Sequence, residues 1–335
     1  MSGYANIFAA IVAFGVTALL GFVMIPMLKR LKFGQTIRED GPTWHKNKQG
    51  TPTMGGIMFS IGILAAVVVG YIVLRISGTG ERFNISDIRL WAGLFIAFAF
   101  GFVGFVDDYI KVVKKRNLGL KPKQKLVMQF LIAIAYLACI YLAGDHSTIV
   151  PIPFIGQLDL GLFYYPLMVL LIVGAVNAVN LTDGIDGLAS SVTFIVGLAF
   201  TVICSILGSS NMGLLAVALA EGCLGFLVWN FHPAKVFMGD TGSMFLGGTV
   251  VALAFGIGNP IILALSGMIY LVEAGSVVLQ VISFKTTGKR IFKMSPIHHH
   301  FEMSGWKENK IVFVFSLVTL LFNALAVWSV YLSLR

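Results

Sequence analysis

The sequence predicts an all-α integral membrane protein, and three features of the whole chain lead to this prediction. Of its 335 residues, 57% are apolar and only 12% are charged, which is too little polar surface to cover a water-soluble globule of this size. The 37 glycines are typical of helical membrane proteins, where small residues let helices approach closely. No strand-like alternation of apolar and polar residues favours a β-barrel.

Ten apolar runs are long enough to cross a bilayer, which takes about 17 to 25 helical residues. We expect them to form ten transmembrane helices of one polytopic domain, residues 1–335, near residues 5–28, 53–75, 90–107, 125–143, 160–180, 189–208, 212–231, 243–259, 260–284 and 311–334. Only Gly258, Asn259 and Pro260 separate the eighth run from the ninth, where proline removes a backbone donor. Basic residues follow the first run and none precedes it, the reverse of a cleavable signal peptide.

The basic residues predict the orientation of the chain. With the N-terminus outside, the cytoplasmic segments are about 29–52, 108–124, 181–188, 232–242 and 285–310. This arrangement assigns 20 of the 24 lysines and arginines to the cytoplasmic side, as the positive-inside rule requires. The net charge of +9 then follows from topology and anionic head groups, so it needs no nucleic-acid partner.

Five of the 15 acidic residues fall at three cytoplasmic helix ends in this topology, namely Asp107, Asp108, Asp183, Asp186 and Asp240. Acidic residues are costly at membrane depth, so those at helix ends are candidates for function. Because the topology rests on lysines and arginines alone, the convergence of these carboxylates on one face is an independent indication of a site.

Two of these helix ends carry carboxylates suited to a hard cation. Asp107 and Asp108 are adjacent and repel each other, so both ionise only beside a cation such as Mg²⁺ or a lysine. A lone pair of this kind is more often a solvated helix end, and the other motifs on the same face favour a site. Asp240 lies in a glycine-flanked turn and is free to ligate a metal. Thr241 and Ser243 are candidates for capping the next helix and binding phosphate, whereas the alternative makes Asp240 or Ser243 merely the N-cap.

The segment Asn177–Gly187 is suited to recognising a nucleotide. Asn177 and Asn180 are three residues apart and share a helix face, while Asp183 and Asp186 lie with two glycines in a turn that a planar ligand can approach. A calcium loop is the competing interpretation, but the segment lacks the twelve-residue ligand pattern with its terminal Glu.

Three consecutive histidines, His298 to His300, lie within a basic loop. They cannot all face one metal from a regular helix, so zinc is the less favoured interpretation, and hydrogen bonds to phosphate or sugar are favoured. Lysines complete the set, because lysine binds phosphate as a point charge. Those nearest the motifs are Lys46, Lys48, Lys111, Lys121, Lys123 and Lys125. Metal, lysines and aspartates together match the needs of phosphoryl transfer.

In this order the motifs resemble those of the polyprenyl-phosphate N-acetylhexosamine-1-phosphate transferase superfamily, and closely those of its phospho-N-acetylmuramoyl-pentapeptide transferase branch. The pair Asp107–Asp108, the segment Asn177–Gly187 and the pair Gly239–Asp240 fit the whole superfamily. The segments Thr51–Gly56 and Pro296–Glu302 are typical of the muramoyl branch.

The resemblance implies a fold and a reaction. The fold has ten transmembrane helices with both termini periplasmic, a ninth helix that is bent or broken, and a homodimeric assembly in the bacterial inner membrane with the active site facing the cytoplasm. The implied reaction transfers phospho-N-acetylmuramoyl-pentapeptide from UDP-N-acetylmuramoyl-pentapeptide to undecaprenyl phosphate, and it gives lipid I and UMP.

The resemblance also implies roles for individual residues. Asp240 corresponds to the principal Mg²⁺ ligand, and Asp107, with Asp108 beside it, to the group that activates the lipid phosphate. A two-step route through an aspartyl-phosphate intermediate stays open. The implied catalytic set is completed by Lys111, His298, His299 and His300. The implied substrate-binding residues are Lys48, Lys123, Lys125, Asn177, Asn180, Asp183, Asp186, Phe237 and Gln280.

Two alternative functions are considered. A sister enzyme would transfer N-acetylglucosamine-1-phosphate to the same lipid, and donor choice distinguishes it. A secondary transporter would use Glu221, Glu273 and the break near Pro260 as pathway elements close to the midplane. The motif residues gather at one membrane face instead, which favours an enzyme, and the two glutamates are expected to form interhelical hydrogen bonds.

Overall fold

The computed structural model describes residues 2–31, 48, 50–79, 83–114 and 118–335. Most of the predicted cytoplasmic segment 29–52, including Lys46, lies outside the described residues. The motif that begins at Thr51 lies inside them.

Helices make up most of the described chain. In order they are α1 (Ser2–Arg30), α2 (Gly56–Leu74), α3 (Ile85–Val113), α4 (Pro122–Leu142), α5 (Tyr164–Thr182), α6 (Leu188–Ile206), α7 (Ser210–Asn230), α8 (Gly239–Gly256), α9 (Leu263–Ser266), α10 (Met268–Thr287), α11 (Ile297–Glu302) and α12 (Glu308–Ser333). Two antiparallel strands, β1 (Ile149–Ile152) and β2 (Gly156–Asp159), form a hairpin between α4 and α5. The expectation of an all-α chain missed this hairpin, because strands of four residues are too short to show a readable alternation.

Nine helices of the described chain are long and apolar enough to cross a membrane, which makes this an integral membrane protein. The predicted eighth span corresponds to α8, which is not among the nine. Its first turn is polar, and every residue from Thr241 to Gly256 is buried inside the protein. A helix enclosed by other helices needs no lipid-facing apolar surface. The count of ten spans and the outward position of the termini therefore stay predictions.

The predicted ninth span is broken. Pro260–Ile262 form a 3₁₀ turn, α9 adds four residues, and Gly267 interrupts the helix before α10 begins at Met268. Asn259 fixes the start of this segment, since its side chain accepts a hydrogen bond from the backbone N–H of Ile262 at 3.2 Å. The break separates α10, which carries Glu273 and Gln280, from the turn that follows α8.

Small residues bring neighbouring helices close to the start of α8. At Gly104 of α3 an added Cβ would lie 2.1 Å from the carbonyl oxygen of Asp240, and at Gly56 of α2 it would lie 2.2 Å from the Cα of Gly242. Such contacts between backbones are possible only without a side chain. The glycines of α2 and α3 therefore decide how near Asp240 lies to both helices.

The motif Thr51–Gly56 pairs with the segment that precedes α8. Phe237 donates its N–H to the Pro52 carbonyl at 2.8 Å, and Gly55 donates in return to the Phe237 carbonyl at 2.8 Å. Between them Met54 is buried and adopts a left-handed φ of 69°. These two backbone hydrogen bonds hold the start of α2 beside the start of α8.

We predict that Gly56→Ala lowers the free energy of unfolding by about 1–3 kcal/mol, because the new methyl group meets the Gly242 backbone, which has little room to yield. The check is the midpoint of thermal unfolding in detergent. Gly174→Ala is the matched control, since no atom lies within 4 Å of an added Cβ there. Equal midpoints for the two variants would contradict the close approach of α2 and α8.

Candidate active site

Asp240 is the centre of a charged cluster at the start of α8. Its Oδ2 lies 2.9 Å from the Lys125 ammonium and 3.1 Å from that of Lys111, and its Oδ1 accepts a hydrogen bond from Asn180 at 3.0 Å. Burial alone would raise the pKa of this carboxyl, but Lys125 and Lys111 hold it well below its usual range. The two lysines therefore favour the ionised form of Asp240.

Asp108 caps α8 from the neighbouring helix α3. Its carboxylate accepts hydrogen bonds from the backbone N–H groups of Asp240 at 3.2 Å and Thr241 at 2.9 Å, and from the Thr241 hydroxyl at 2.7 Å. The expectation that Thr241, Ser243 or Asp240 caps this helix with its own side chain is wrong, because Met238 occupies the N-cap without a side-chain bond. A carboxylate here satisfies orphan donors and interacts favourably with the helix dipole.

Asp107 completes a group of three carboxylates. Its Oδ2 lies 2.6 Å from the Lys111 ammonium, and its Oδ1 accepts the N–H of Leu120 at 2.7 Å. Asp107, Asp108 and Asp240 each contribute one carboxylate oxygen, and these three oxygens lie within 4.8 Å of one another. Carboxylate oxygens at this spacing are the donor set that Mg²⁺ prefers, so the residues present fit this ion.

The two asparagines separate in the structure. Asn180 lies in the cluster and also donates to the Ser243 hydroxyl at 2.7 Å. Asn177 lies one turn away and exchanges hydrogen bonds with Gln129 at 2.7 and 3.3 Å. Sequence reasoning missed Gln129, because a single buried amide within an apolar run gives no motif.

Asp183 lies half-buried at the end of α5, and no described residue donates a hydrogen bond to its carboxylate. Burial, followed by repulsion from the Asp240, Asp108 and Asp186 carboxylates, raises the pKa of Asp183 well above its ordinary value. The cluster therefore exerts a net negative field at this turn.

A second cluster of charged side chains connects four segments that are distant in sequence. The Lys48 ammonium lies 2.7 Å from Asp186 and 2.7 Å from Glu308, and His232 Nδ1 lies 2.9 Å from Asp186. The Ala234 N–H also donates to Asp186, at 3.0 Å. The carboxylates and the imidazole are able to hold a metal as well. Lys48 and Asp186 were predicted to bind substrate, whereas His232 and Glu308 were not identified from the sequence.

The three histidines have three different partners. His298 Nδ1 lies 2.9 Å from the Glu273 carboxylate, and both side chains are fully buried. His299 Nδ1 lies 2.6 Å from Glu302, and His300 Nδ1 accepts the N–H of Lys293 at 3.2 Å. Glu273, which had no identifiable partner in the sequence, is thus a partner of the histidine motif.

The remaining predicted substrate residues lie around the cluster. Gln280 accepts the N–H groups of Ile291 and Phe292 at 3.0 Å each, so its amide fastens the loop after α10. Phe237 is half-buried, and Lys123 is exposed on the first turn of α4, two residues before Lys125. The substrate-binding roles of these residues stay predictions.

Comparison with known proteins gives a consistent result. The family model described as glycosyl transferase family 4 matches residues 90–258, and the one described as phospho-N-acetylmuramoyl-pentapeptide-transferase signature 1 matches residues 48–59. The first match contains the Asp240 cluster, and the second contains the segment that pairs with the entrance of α8.

Three curated relatives carry the name phospho-N-acetylmuramoyl-pentapeptide-transferase. The protein of Acetivibrio thermocellus is 47% identical over 322 residues, covering 94% of this chain and 92% of the relative. That of Heliobacterium modesticaldum is 49% identical and covers 92% of each chain. That of Desulforamulus reducens is 48% identical, covering 94% of this chain and 92% of the relative.

We predict opposite effects for two substitutions in one turn. Because the pKa of Asp183 is raised in the folded state, its ionised carboxylate destabilises the folded protein at pH values above 3.8, the ordinary pKa of this side chain. Asp183→Asn therefore stabilises the protein at neutral pH. The gain shrinks as pH falls toward 3.8. Asp186→Asn destabilises the protein, because Lys48 and His232 lose a charged partner. Thermal unfolding in detergent across pH measures both, and Asp183→Asn no more stable than the parent protein at neutral pH would contradict this electrostatic account.

Proposed function

This chain belongs to the phospho-N-acetylmuramoyl-pentapeptide transferases, and we propose that its reaction takes place with Mg²⁺ at the Asp240 cluster. It transfers phospho-N-acetylmuramoyl-pentapeptide from UDP-N-acetylmuramoyl-pentapeptide to undecaprenyl phosphate, which gives lipid I and UMP. It is a multi-pass bacterial membrane protein that serves peptidoglycan synthesis.

The main support for placing the reaction at the Asp240 cluster is that three carboxylates and two lysines lie together at the N-terminus of α8. Asp107, Asp108 and Asp240 supply oxygen ligands, and Lys111 and Lys125 supply positive charge within 3.1 Å of Asp240. Transfer between two phosphates brings several negative charges together, so charge neutralisation and positioning are the main requirements. The helix N-terminus adds a positive dipole at the same point.

Each group of the cluster takes one role in the proposed mechanism. Asp240, with Asp107 and Asp108 beside it, would hold the ion, which supplies neutralisation of phosphate charge when bound. Lys111 and Lys125 bind non-reacting phosphate oxygens. Asp107, whose Oδ2 lies 2.6 Å from Lys111, accepts the proton of the lipid phosphate if that group arrives protonated.

The bond changes follow from the two substrates. An oxygen of the lipid phosphate attacks the phosphorus next to the sugar, a new P–O bond forms, and the P–O bond to UMP breaks. UMP leaves with the electron pair of that bond. The proposed task of this chain's residues is to align the two phosphates and screen their repulsion.

We place the donor's nucleotide at the Asp183–Asp186 turn, next to Lys48. The Lys48 ammonium lies 2.7 Å from Asp186 and 2.7 Å from Glu308. Because an ammonium has three N–H donors, a third donor is available to a phosphate oxygen while both carboxylates stay bound. Lys48 is therefore able to join the bound nucleotide to Asp186 and Glu308.

We further propose that the site faces the cytoplasm of the inner membrane, supported by the basic residues of segments 108–124 and 285–310. The homodimer rests on the resemblance alone. A transporter is not favoured, because Glu273 is fully buried against His298 and so does not line an open path.

We predict that Asp240→Ala abolishes transfer at any Mg²⁺ concentration, because the change removes an ion ligand and the partner of two lysines. A radiolabel assay with purified protein, undecaprenyl phosphate and either the muramoyl-pentapeptide donor or UDP-N-acetylglucosamine follows lipid product and UMP. Asp159→Ala, a change on the exposed strand β2, is the control with full activity. Mg²⁺-independent turnover would contradict the requirement for the ion, whereas retained Mg²⁺-dependent turnover in Asp240→Ala would show that the ion is held elsewhere.

We predict that Lys125→Met lowers kcat/KM by about 10²–10³-fold, the loss seen when a charge-stabilising donor is removed from an active site. Its ammonium is 2.9 Å from Asp240, whereas Lys114 is exposed and has no such contact among the described residues. Lys114→Met is therefore the matched control, expected within about twofold of the parent protein, where the loss of one exposed charge falls. Equal losses in both variants would refute the assignment of Lys125 to the cluster.

A further inference from the structure

The pair formed by Glu273 and His298 is buried to an unusual degree. Each side chain is 0% exposed, and His298 Nδ1 lies 2.9 Å from Glu273 Oε2. Glu273 comes from α10 and His298 from α11, so the contact joins a helix of the membrane domain to the histidine motif.

The pair leaves two buried polar atoms without partners. Within the described chain, Nε2 of His298 and Oε1 of Glu273 make no hydrogen bond. An unsatisfied buried polar atom costs about 1–3 kcal/mol, and folded proteins keep few of them. The His298 Nε2 atom is therefore able to make a hydrogen bond to a group that this chain does not supply.

The free nitrogen of His298 faces the turn at which we place the donor. A Cβ added to Gly184 would lie 2.0 Å from Nε2. Gly184 stands between Asp183 and Asp186, the residues of the proposed nucleotide site. The imidazole therefore packs directly beneath that turn, and glycine is required there.

The carboxylate determines which nitrogen of His298 carries the proton. Glu273 in its ionised form only accepts hydrogen bonds, so Nδ1 must be the donor. A neutral ring then has a bare lone pair on Nε2. The His299 ring lies beside it, with its centre 4.1 Å from that of His298 and its Nδ1 2.6 Å from Glu302.

We propose that Glu273 is a positioning residue of the transferase, which holds His298 as the Nδ1–H tautomer so that Nε2 accepts a hydrogen bond from the bound donor. The hydrogen-bond donor is an O–H or N–H group of the nucleotide sugar. When the nucleotide sugar binds at the Asp183–Asp186 turn, this group becomes the partner of Nε2. This inference rests on the proposed placement of the donor at that turn.

The first test reads the tautomer directly and requires no substitution of Glu273. Nitrogen chemical shifts of ¹⁵N-histidine-labelled protein in detergent, with His298→Gln used for assignment, should show a protonated Nδ1 and a bare Nε2. Addition of UMP, and separately of the complete donor, should move the Nε2 signal with at least one of them. A proton on Nε2 in the free protein, or an Nε2 signal that neither ligand moves, overturns the proposal.

The second test uses Glu273→Gln, whose amide can donate to Nδ1 and so force the proton onto Nε2. We expect kcat to fall about ten- to a hundredfold, the range for loss of a histidine's orienting partner, with the KM for undecaprenyl phosphate nearly unchanged. Glu221→Gln, a half-buried glutamate of α7, is the matched control with unchanged kcat. A kcat within twofold in Glu273→Gln, in protein that unfolds at the parent's midpoint, contradicts the proposal.

The tautomer of His298 and the position of the ion are tested by different measurements. The tautomer of His298 does not depend on which residues hold Mg²⁺, so a misplaced ion site would appear in the Asp240→Ala assay and leave the nitrogen shifts unchanged. Conversely, the wrong tautomer would leave the Asp240 cluster untouched.

Discussion

The carboxylate of Asp108 bonded to the first N–H groups of α8 is the contact on which the site depends. It fixes the end of a buried helix against α3 and thereby places Asp240 beside Asp107. Three carboxylates then share two ammonium groups, Lys111 and Lys125, and an excess of negative charge remains at a partly enclosed point. The proposed divalent cation would remove this excess and would also neutralise the two approaching phosphates.

Packing without side chains makes that contact possible. Gly104 lets α3 lie against the Asp240 backbone, and Gly56 does the same for α2 at Gly242. The glycines that indicate a membrane protein by composition therefore also set the geometry of the site. The motif Thr51–Gly56 contributes through its backbone, which pairs with Phe237 just before α8.

Much of the site was predictable, because membrane topology places distant residues on one face. The topology predicted from the basic residues placed Asp107, Asp108 and Asp240 at the same membrane face. In the structure one carboxylate oxygen from each lies within 4.8 Å of the others. Side-chain partners were not predictable. Lys48 and Glu308 are 260 positions apart, and neither lies in a periodic pattern that points to the other. The helix cap was missed for the same reason, since Asp108 precedes Thr241 by 133 positions and local capping rules consider only neighbours in sequence.

The most direct test of the central claim is to locate the ion, since two groups of the described chain are able to hold one: Asp107, Asp108 and Asp240, or Asp186, His232 and Glu308. Diffraction from crystals grown with Mn²⁺ in place of Mg²⁺, recorded near the manganese absorption edge, gives its position by anomalous scattering. The account predicts a peak about 2.0–2.2 Å from a carboxylate oxygen of Asp240, a typical distance for such ions. A peak at the Asp186 group, with none beside Asp240, would contradict it.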